Sequence, residues 1–293
     1  VGPTASGKSA LALEVARRLP GPPVEIVSVD SMQVYRGMDV GTAKPTAAER
    51  AEVPHHLLDL ADPDDDFTVT RFQEAFAGSI KAIEARGHRA LLVGGTGLYL
   101  RAVVDRLTPP GRFPYMQSVL ENEETDSLYV KLQAVDRQAA AKIEPGNRRR
   151  VVRALEVTLG SGRPFSSYGP GLDVHPPTPF RMAGLWLPRP VVARRIEERV
   201  RHMLEHGLAE EARRLAERPR GLSRTARQAL GYKEVLDGLP ADAAIAEITR
   251  RTKAFARRQR VWFRRDPRIV WYGARENPFA VLPALLGDWS RCP

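Results

Sequence analysis

The stretch VGPTASGKSAL sets Gly2, Pro3, Thr4, Ala5, Ser6, Gly7, Lys8 and Ser9 in the spacing G-x-x-x-x-G-K-[ST]. This spacing makes a loop whose backbone N–H groups cradle phosphates, followed at once by a helix whose positive end adds to the field. Lys8 supplies a cation for the phosphate oxygens, and Ser9 a hydroxyl oxygen for Mg²⁺. ATP or GTP is the default cargo of such a loop, so the other polar residues must decide what it holds here. Asp30 closes the apolar run VEIVSVD, 22 positions after Lys8. A carboxylate there can take a proton as a general base or hold magnesium-bound water. Thr96 follows Gly94 and Gly95 at the end of RALLVGGTG, where it either faces the same crevice or caps a helix.

The segments around these residues read as alternating helix and strand. SALALEVARRL repeats apolar residues at helical spacing from Ser9 and is broken by Pro20, Gly21, Pro22 and Pro23. VEIVSVD and RALLVGGTG read as buried strands. Such alternation predicts an α/β fold, a phosphate-loop parallel sheet flanked by helices, with ligands beyond the carboxyl ends of the strands. A phosphate loop follows a buried strand, and only Val1 precedes Gly2, so the first strand is expected to be missing through truncation or disorder. From Leu107 the pattern turns helical, with turn-rich LTPPGRFP leading into LYVKLQAVDRQAAAKIEPGNRRRVVRALEVTLGSG. The expected division is a catalytic core over 1–106 and 176–293, with a small helical domain inserted over 107–175. PVVARRIEERVRHMLEHGLAEEARRLAE reads as one long amphipathic helix or a pair broken at Gly207.

Composition limits the partners. The chain of 293 residues is 43% hydrophobic and 27% charged. It has no apolar run near the roughly 18 residues that span a bilayer. A cytoplasmic protein without a membrane partner is expected, and a monomer. The one cysteine, Cys292, cannot form an internal disulfide. Residues 1–146 hold 16 Lys/Arg against 20 Asp/Glu, whereas residues 147–293 hold 29 against 15. A balance of +14 in the second half suggests a nucleic acid, although an Arg-favouring genome gives the same bias. His202 and His206, one helical turn apart, could pair on a metal or be incidental on a surface helix.

Longer stretches narrow the choice. VDSMQVYRGMDVGTAKP from Val29, VPHHLLDL from Val53 and LLVGGTGLYL from Leu91, after GPTASGKS, closely resemble the bacterial tRNA dimethylallyltransferase family. NRRRVVRALE from Asn147, QALGYKE from Gln228 and RRQRVWFRRDPRIVWY from Arg257 extend the resemblance almost to the C-terminus. The resemblance implies transfer of a dimethylallyl group from dimethylallyl diphosphate to N6 of adenosine 37, in the tRNA anticodon stem-loop, with Mg²⁺. It implies that residues 2–9 bind diphosphate together with Arg199 in RRIEERV, and that Lys8, Asp30, Thr96 and Arg199 are catalytic.

For tRNA, the resemblance implies contacts by Asp30, Ser31, Met32, Gln33 and Thr96, and by Arg149, Arg150, Val151, Val152 and Arg153. It adds Gln228, Ala229, Leu230, Gly231, Tyr232 and Lys233, with Tyr232 able to stack on a base. A substrate-reaching arginine of the family aligns with Gln117, and Arg112 is the other candidate. Family members carry Asp where this chain has Asn147, a change that a helix cap survives. Trp262 and Phe263 belong either to an RNA surface or to the core. His55 and His56 read as structural. The alternatives are a small-molecule or nucleotide kinase, a prenyltransferase acting on free adenine nucleotides, and an RNA-binding protein with a vestigial site.

Overall fold

The computed structural model describes residues 1–169 and 171–290, so Cys292 lies outside the described residues. The chain divides into two compact units, Val1–Val104 with Thr178–Pro293, and Asp105–Pro177. These limits fall two residues outside the expected insertion of 107–175 at each end.

In the first unit the chain runs α1 (Lys8–Arg18), β1 (Val24–Val29), α2 (Ala47–Glu52), β2 (His55–His56), α3 (Val69–Ala85), β3 (Arg89–Gly94) and α4 (Gly97–Val104). The second unit contributes α5 (Pro114–Leu120), α6 (Thr125–Val135), α7 (Arg137–Lys142) and α8 (Arg148–Ser161). The first unit then resumes with β4 (Met182–Trp186), α9 (Arg189–Glu205), α10 (Leu208–Ala216), α11 (Arg224–Arg227), α12 (Tyr232–Leu236), α13 (Ala241–Arg264), β5 (Ile269–Gly273) and α14 (Leu282–Ser290). Gly207, with φ 93°, ends the α9 turn and starts α10, so the long amphipathic stretch is a pair of helices.

All strand pairs are parallel. β1 lies between β2 and β3, with Val29 opposite Gly94, so both strands deliver their carboxyl ends to one edge. β1 is buried along its whole length, which explains its unbroken apolar run. A second pair, β4 and β5, lies alongside Val1, whose amine donates to Ala183 O at 2.6 Å and whose carbonyl accepts from Leu185 N at 2.9 Å. A cavity of about 470 Å³ is lined by residues of both β3 and β4.

Val27, Val29, Tyr35, Phe72, Tyr99 and Phe263 share one core on the first unit's sheet. Leu11, Val15, Leu187, Ile196 and Ile248 form another, between α1, α9 and α13. Phe263 is 1% exposed and Trp262 packs against the first core, so the C-terminal aromatics are structural. The second unit closes its own core of Leu120, Leu128, Leu132, Ile143, Val151 and Leu155. Asn147 caps α8 by accepting from Arg150 N at 3.4 Å. A short polar side chain with an oxygen suffices there.

Candidate active site

The phosphate loop owes its shape to two residues with positive φ. Ala5 (φ 59°) and Gly7 (φ 88°) turn the chain back so that α1 can begin at Lys8. A side chain at Gly7 would be strained there and would meet Pro278 at 2.6 Å. The N–H groups of Lys8, Ser9 and Ala10 open the helix without intrahelical acceptors, while Leu11 N already bonds Gly7 O at 3.0 Å. Two loop amides are spent internally: Ser6 N donates to Pro3 O at 3.3 Å and Thr4 N to Gln259 Oε1 at 2.7 Å. The amide donors therefore centre on Gly7 and the first helical turn rather than on Ser6. The Ser6 hydroxyl is buried without a hydrogen-bond partner, and Ser9 is exposed at the start of the helix.

Two arginines of α9 meet this loop. Arg195 Nε donates to Ala5 O at 2.9 Å, and Arg199 donates to Thr4 Oγ1 at 3.2 Å. Burial pushes the Lys8 ammonium down to about 8; the Asp30 carboxylate opposes that shift and Arg199 adds to it. Burial likewise lowers Arg199, again opposed by Asp30. Lys8, Arg199 and Asp30 thus form one electrostatic cluster, with two cations held half-desolvated against one carboxylate. Such a cluster is suited to an incoming anion, which would restore the charge balance.

At the carboxyl ends of β1 and β3 the chain is knitted by short bonds. Asp30 Oδ1 accepts from Met32 N at 2.9 Å, Thr96 Oγ1 accepts from Ser31 N at 3.1 Å, and Thr96 N donates to Val29 O at 3.3 Å. Asp30 and Thr96 therefore share one edge of the sheet, beside the phosphate loop. Gln259 of α13 spans the gap, donating from Nε2 to Gly95 O at 2.8 Å while its Oε1 takes the Thr4 N–H. A Cβ on Gly95 would lie 2.3 Å from Gln259 Nε2, so glycine is needed for this approach. Gln259 and Arg195 were not among the expected site residues. The signal for Gln259 was a polar residue on the stripe of Ala256 and Phe263, at i−3 and i+4, that α13 buries.

Several residues expected to contact tRNA are engaged within the fold. Tyr232 is 0% exposed, and its hydroxyl donates to Glu211, whose carboxylate also accepts from the backbone N–H of Asp39, Val40 and Gly41. Its ring is enclosed and has no face for a base. Ala229 and Gly231 are buried beside it, whereas Gln228 and Lys233 are exposed and Leu230 partly so. The Gln33 amide is occupied by Ser28 Oγ, Thr42 O and Ala43 O. Met32 packs against the core.

In the second unit, Val151 and Val152 are buried while Arg149 and Arg150 are exposed. Arg153 is tied to Pro110 O, Gly111 O and Glu156, and Arg148 to Glu121 O, Glu123 O and Thr125. Gln117 Nε2 donates to Glu121 Oε1 at 2.8 Å. His56 bonds the buried Glu25 and His55 bonds Val53 O, as structural histidines do.

The fold and this cluster define an enzyme of the phosphate-loop α/β class. A family model described as IPP transferase matches residues 33–266. The tRNA dimethylallyltransferase of Bifidobacterium longum is 46% identical over 306 aligned residues, covering 99% of this chain and 92% of that protein. That of Kineococcus radiotolerans is 47% identical over 288, covering 94% and 90%. Among solved structures, the full-length tRNA isopentenylpyrophosphate transferase of Bacillus halodurans matches with a TM-score of 0.69 at 37% identity, covering 98% of this chain and 94% of that one. A eukaryotic dimethylallyltransferase acting on tRNA matches with a TM-score of 0.74 at 27% identity, covering 94% and 72%. The chain belongs to the IPP transferase family. Among the described residues no helix is long and apolar enough to cross a membrane.

Proposed function

We propose that this chain transfers a dimethylallyl group from dimethylallyl diphosphate to N6 of adenosine 37 in tRNA, and releases diphosphate. The observation that carries this reading is the pairing of a cationic phosphate cradle, Lys8 and Arg199, with Asp30 and Thr96 at the same sheet edge.

The donor's C1–O bond breaks as negative charge gathers on the diphosphate oxygens. Fixed positive charge and N–H donors there lower the barrier. Gly7, the first turn of α1, Lys8 and Arg199 supply them. N6 of adenine is a poor nucleophile, because its lone pair is delocalised into the ring. As the C1–N6 bond forms, Asp30 accepts a proton from N6 and diphosphate leaves intact. The hydroxyl of Thr96, which holds Ser31 beside Asp30, sets the position of that carboxylate. The hydroxyl oxygen of Ser9 is a hard donor of the kind Mg²⁺ takes, so it fits that ion. Bound there, Mg²⁺ would add charge stabilisation at the leaving oxygens.

The target base has to leave its stack to reach such a cleft. Phosphates of the anticodon stem-loop are assigned to Arg149 and Arg150, the exposed members of their cluster. Gln228 and Lys233 offer a second polar surface. Incubation with Mg²⁺, labelled dimethylallyl diphosphate and either tRNA or AMP tests the reading, with ATP as the rival donor. Label is expected in tRNA alone. Label in AMP, or ATP turnover without prenyl transfer, would overturn it.

A further inference from the structure

The last turn of α9 carries a side-chain cluster that the proposed reaction does not use. His202, Glu205 and His206 are all exposed, and one ligand atom from each lies within 4.8 Å of the others. Spacing of i, i+3 and i+4 brings all three to one face of a helix. The two imidazole rings are already together, with centroids 3.7 Å apart. His206 Nδ1 lies 2.7 Å from His202 O. A carbonyl can only accept, so Nδ1 carries the proton and Nε2 keeps its lone pair for a metal. A backbone contact of this kind fixes the tautomer of metal-binding histidines.

We propose that His202, Glu205 and His206 form a surface site for one borderline divalent transition ion, of which Zn²⁺ is the representative. Two imidazole nitrogens and one carboxylate oxygen make an N₂O set. That set suits zinc and its neighbours better than Mg²⁺ or Ca²⁺, which take oxygen, and it leaves a fourth position for water. The cation would sit at the negative end of the α9 dipole, which favours positive charge. Exposed side chains can draw in from their present separation to zinc distances without disturbing the core.

The site also has a place in the architecture. Steps of four, three and four residues along α9 relate Arg195, Arg199, His202 and His206, so one stripe of the helix runs from the phosphate loop to this cluster. Occupancy would clamp the final turn of the helix that presents Arg199. It would stabilise that helix without supplying any group to the reaction.

The full chain, stripped of metal, is titrated with Zn²⁺ against a chromophoric chelator. One equivalent is expected to bind, and His202→Ala or His206→Ala should weaken it at least about tenfold. Glu205→Gln should weaken it less, since amide oxygen is a poorer donor. Circular dichroism checks that the variants stay folded, as substitutions at exposed positions should. A titration unchanged by either histidine substitution would place the zinc elsewhere and overturn the site. So would Mg²⁺ or Ca²⁺ competing at concentrations equal to Zn²⁺.

Discussion

Strand β1 carries two carboxylates with opposite circumstances, Glu25 near its start and Asp30 just past its end. Glu25 is 2% exposed and accepts from Arg86 through two bonds of 2.9 and 2.8 Å, from His88 at 2.6 Å and from His56. The hydrogen bonds from Arg86, foremost, and from His56 and His88 hold its carboxyl down at about 2, against the opposing effect of burial. Asp30 accepts one backbone N–H, from Met32, and faces two cations, Lys8 and Arg199, whose pKa values burial lowers. The saturated carboxylate holds the sheet together. The one with bonding capacity in reserve, beside strained cations, is the one with chemistry left to do.

The largest effect expected is that of Asp30→Ala, which should lower single-turnover prenyl transfer by about 10²- to 10⁴-fold, the usual worth of a general base. Its tRNA affinity and melting temperature should stay close to those of the unsubstituted chain. If affinity collapsed while turnover at saturation held, Asp30 would be a binding residue and the contrast with Glu25 would fail.

Glu25→Ala should do the reverse. Leaving Arg86 and two histidines without their acceptor should cost about 3 kcal/mol in urea unfolding, with turnover per folded molecule preserved. The same carboxylate predicts an acid limb. Its folded pKa lies below the ordinary 4.5, so its stabilisation is complete above that value and is lost as pH falls from about 4.5 towards 2. Thermal unfolding between pH 6 and 2.5 should show this loss, and Glu25→Ala should flatten it.

A smaller effect belongs to Lys8. Its pKa is lowered to about 8, so the ammonium is charged below that pH and neutral above it. Affinity for dimethylallyl diphosphate should therefore fall as pH rises past 8, by about tenfold per unit at most, with protons taken up on binding. Calorimetry in buffers of different ionisation enthalpy reads this directly. Binding that is flat to pH 9.5 would show Lys8 fully charged and no unmet demand for an anion.

The smallest effect extends the contrast to the second unit. Arg148 is spent on carbonyl oxygens whereas Arg149 and Arg150 reach solvent. Replacing Arg149 and Arg150 by Gln should flatten the dependence of log affinity for tRNA on log salt by about 1 to 2 units. Arg148→Gln should cost stability and leave that slope alone.

The phosphate loop, its Lys8 and Ser9, and the strands ending near Asp30 and Thr96 were legible from residue types and spacing, as was the helical character of the stretch after Leu107. These features rest on short-range backbone geometry: a loop of eight residues, a strand of six, and a cap one residue long. The long stretches shared with relatives carried the acceptor and the donor, which no single motif specifies. The burial of Tyr232, Val151 and Val152 and the internal bonds of Gln33 were not legible, because a side chain's partner is chosen by elements distant in sequence. Tyr232 meets Glu211 across α10 and α12, and Val151 meets the leucines of α6. Gln259 reaches a loop 255 positions away.

What the sequence by itself determined is the inventory: a cradle for phosphate, a carboxylate at a strand end and a basic second half. Only the tertiary structure decided which polar groups are used up. Parallel pairing of β1 with β3 brought Asp30 and Thr96 to one edge, α9 brought Arg195 and Arg199 to the loop, burial enclosed Tyr232, and internal hydrogen bonds took up the Gln33 amide. Hydrogen-bond saturation and desolvation depend on packing between distant segments, and they separate residues that hold the fold from those left to act.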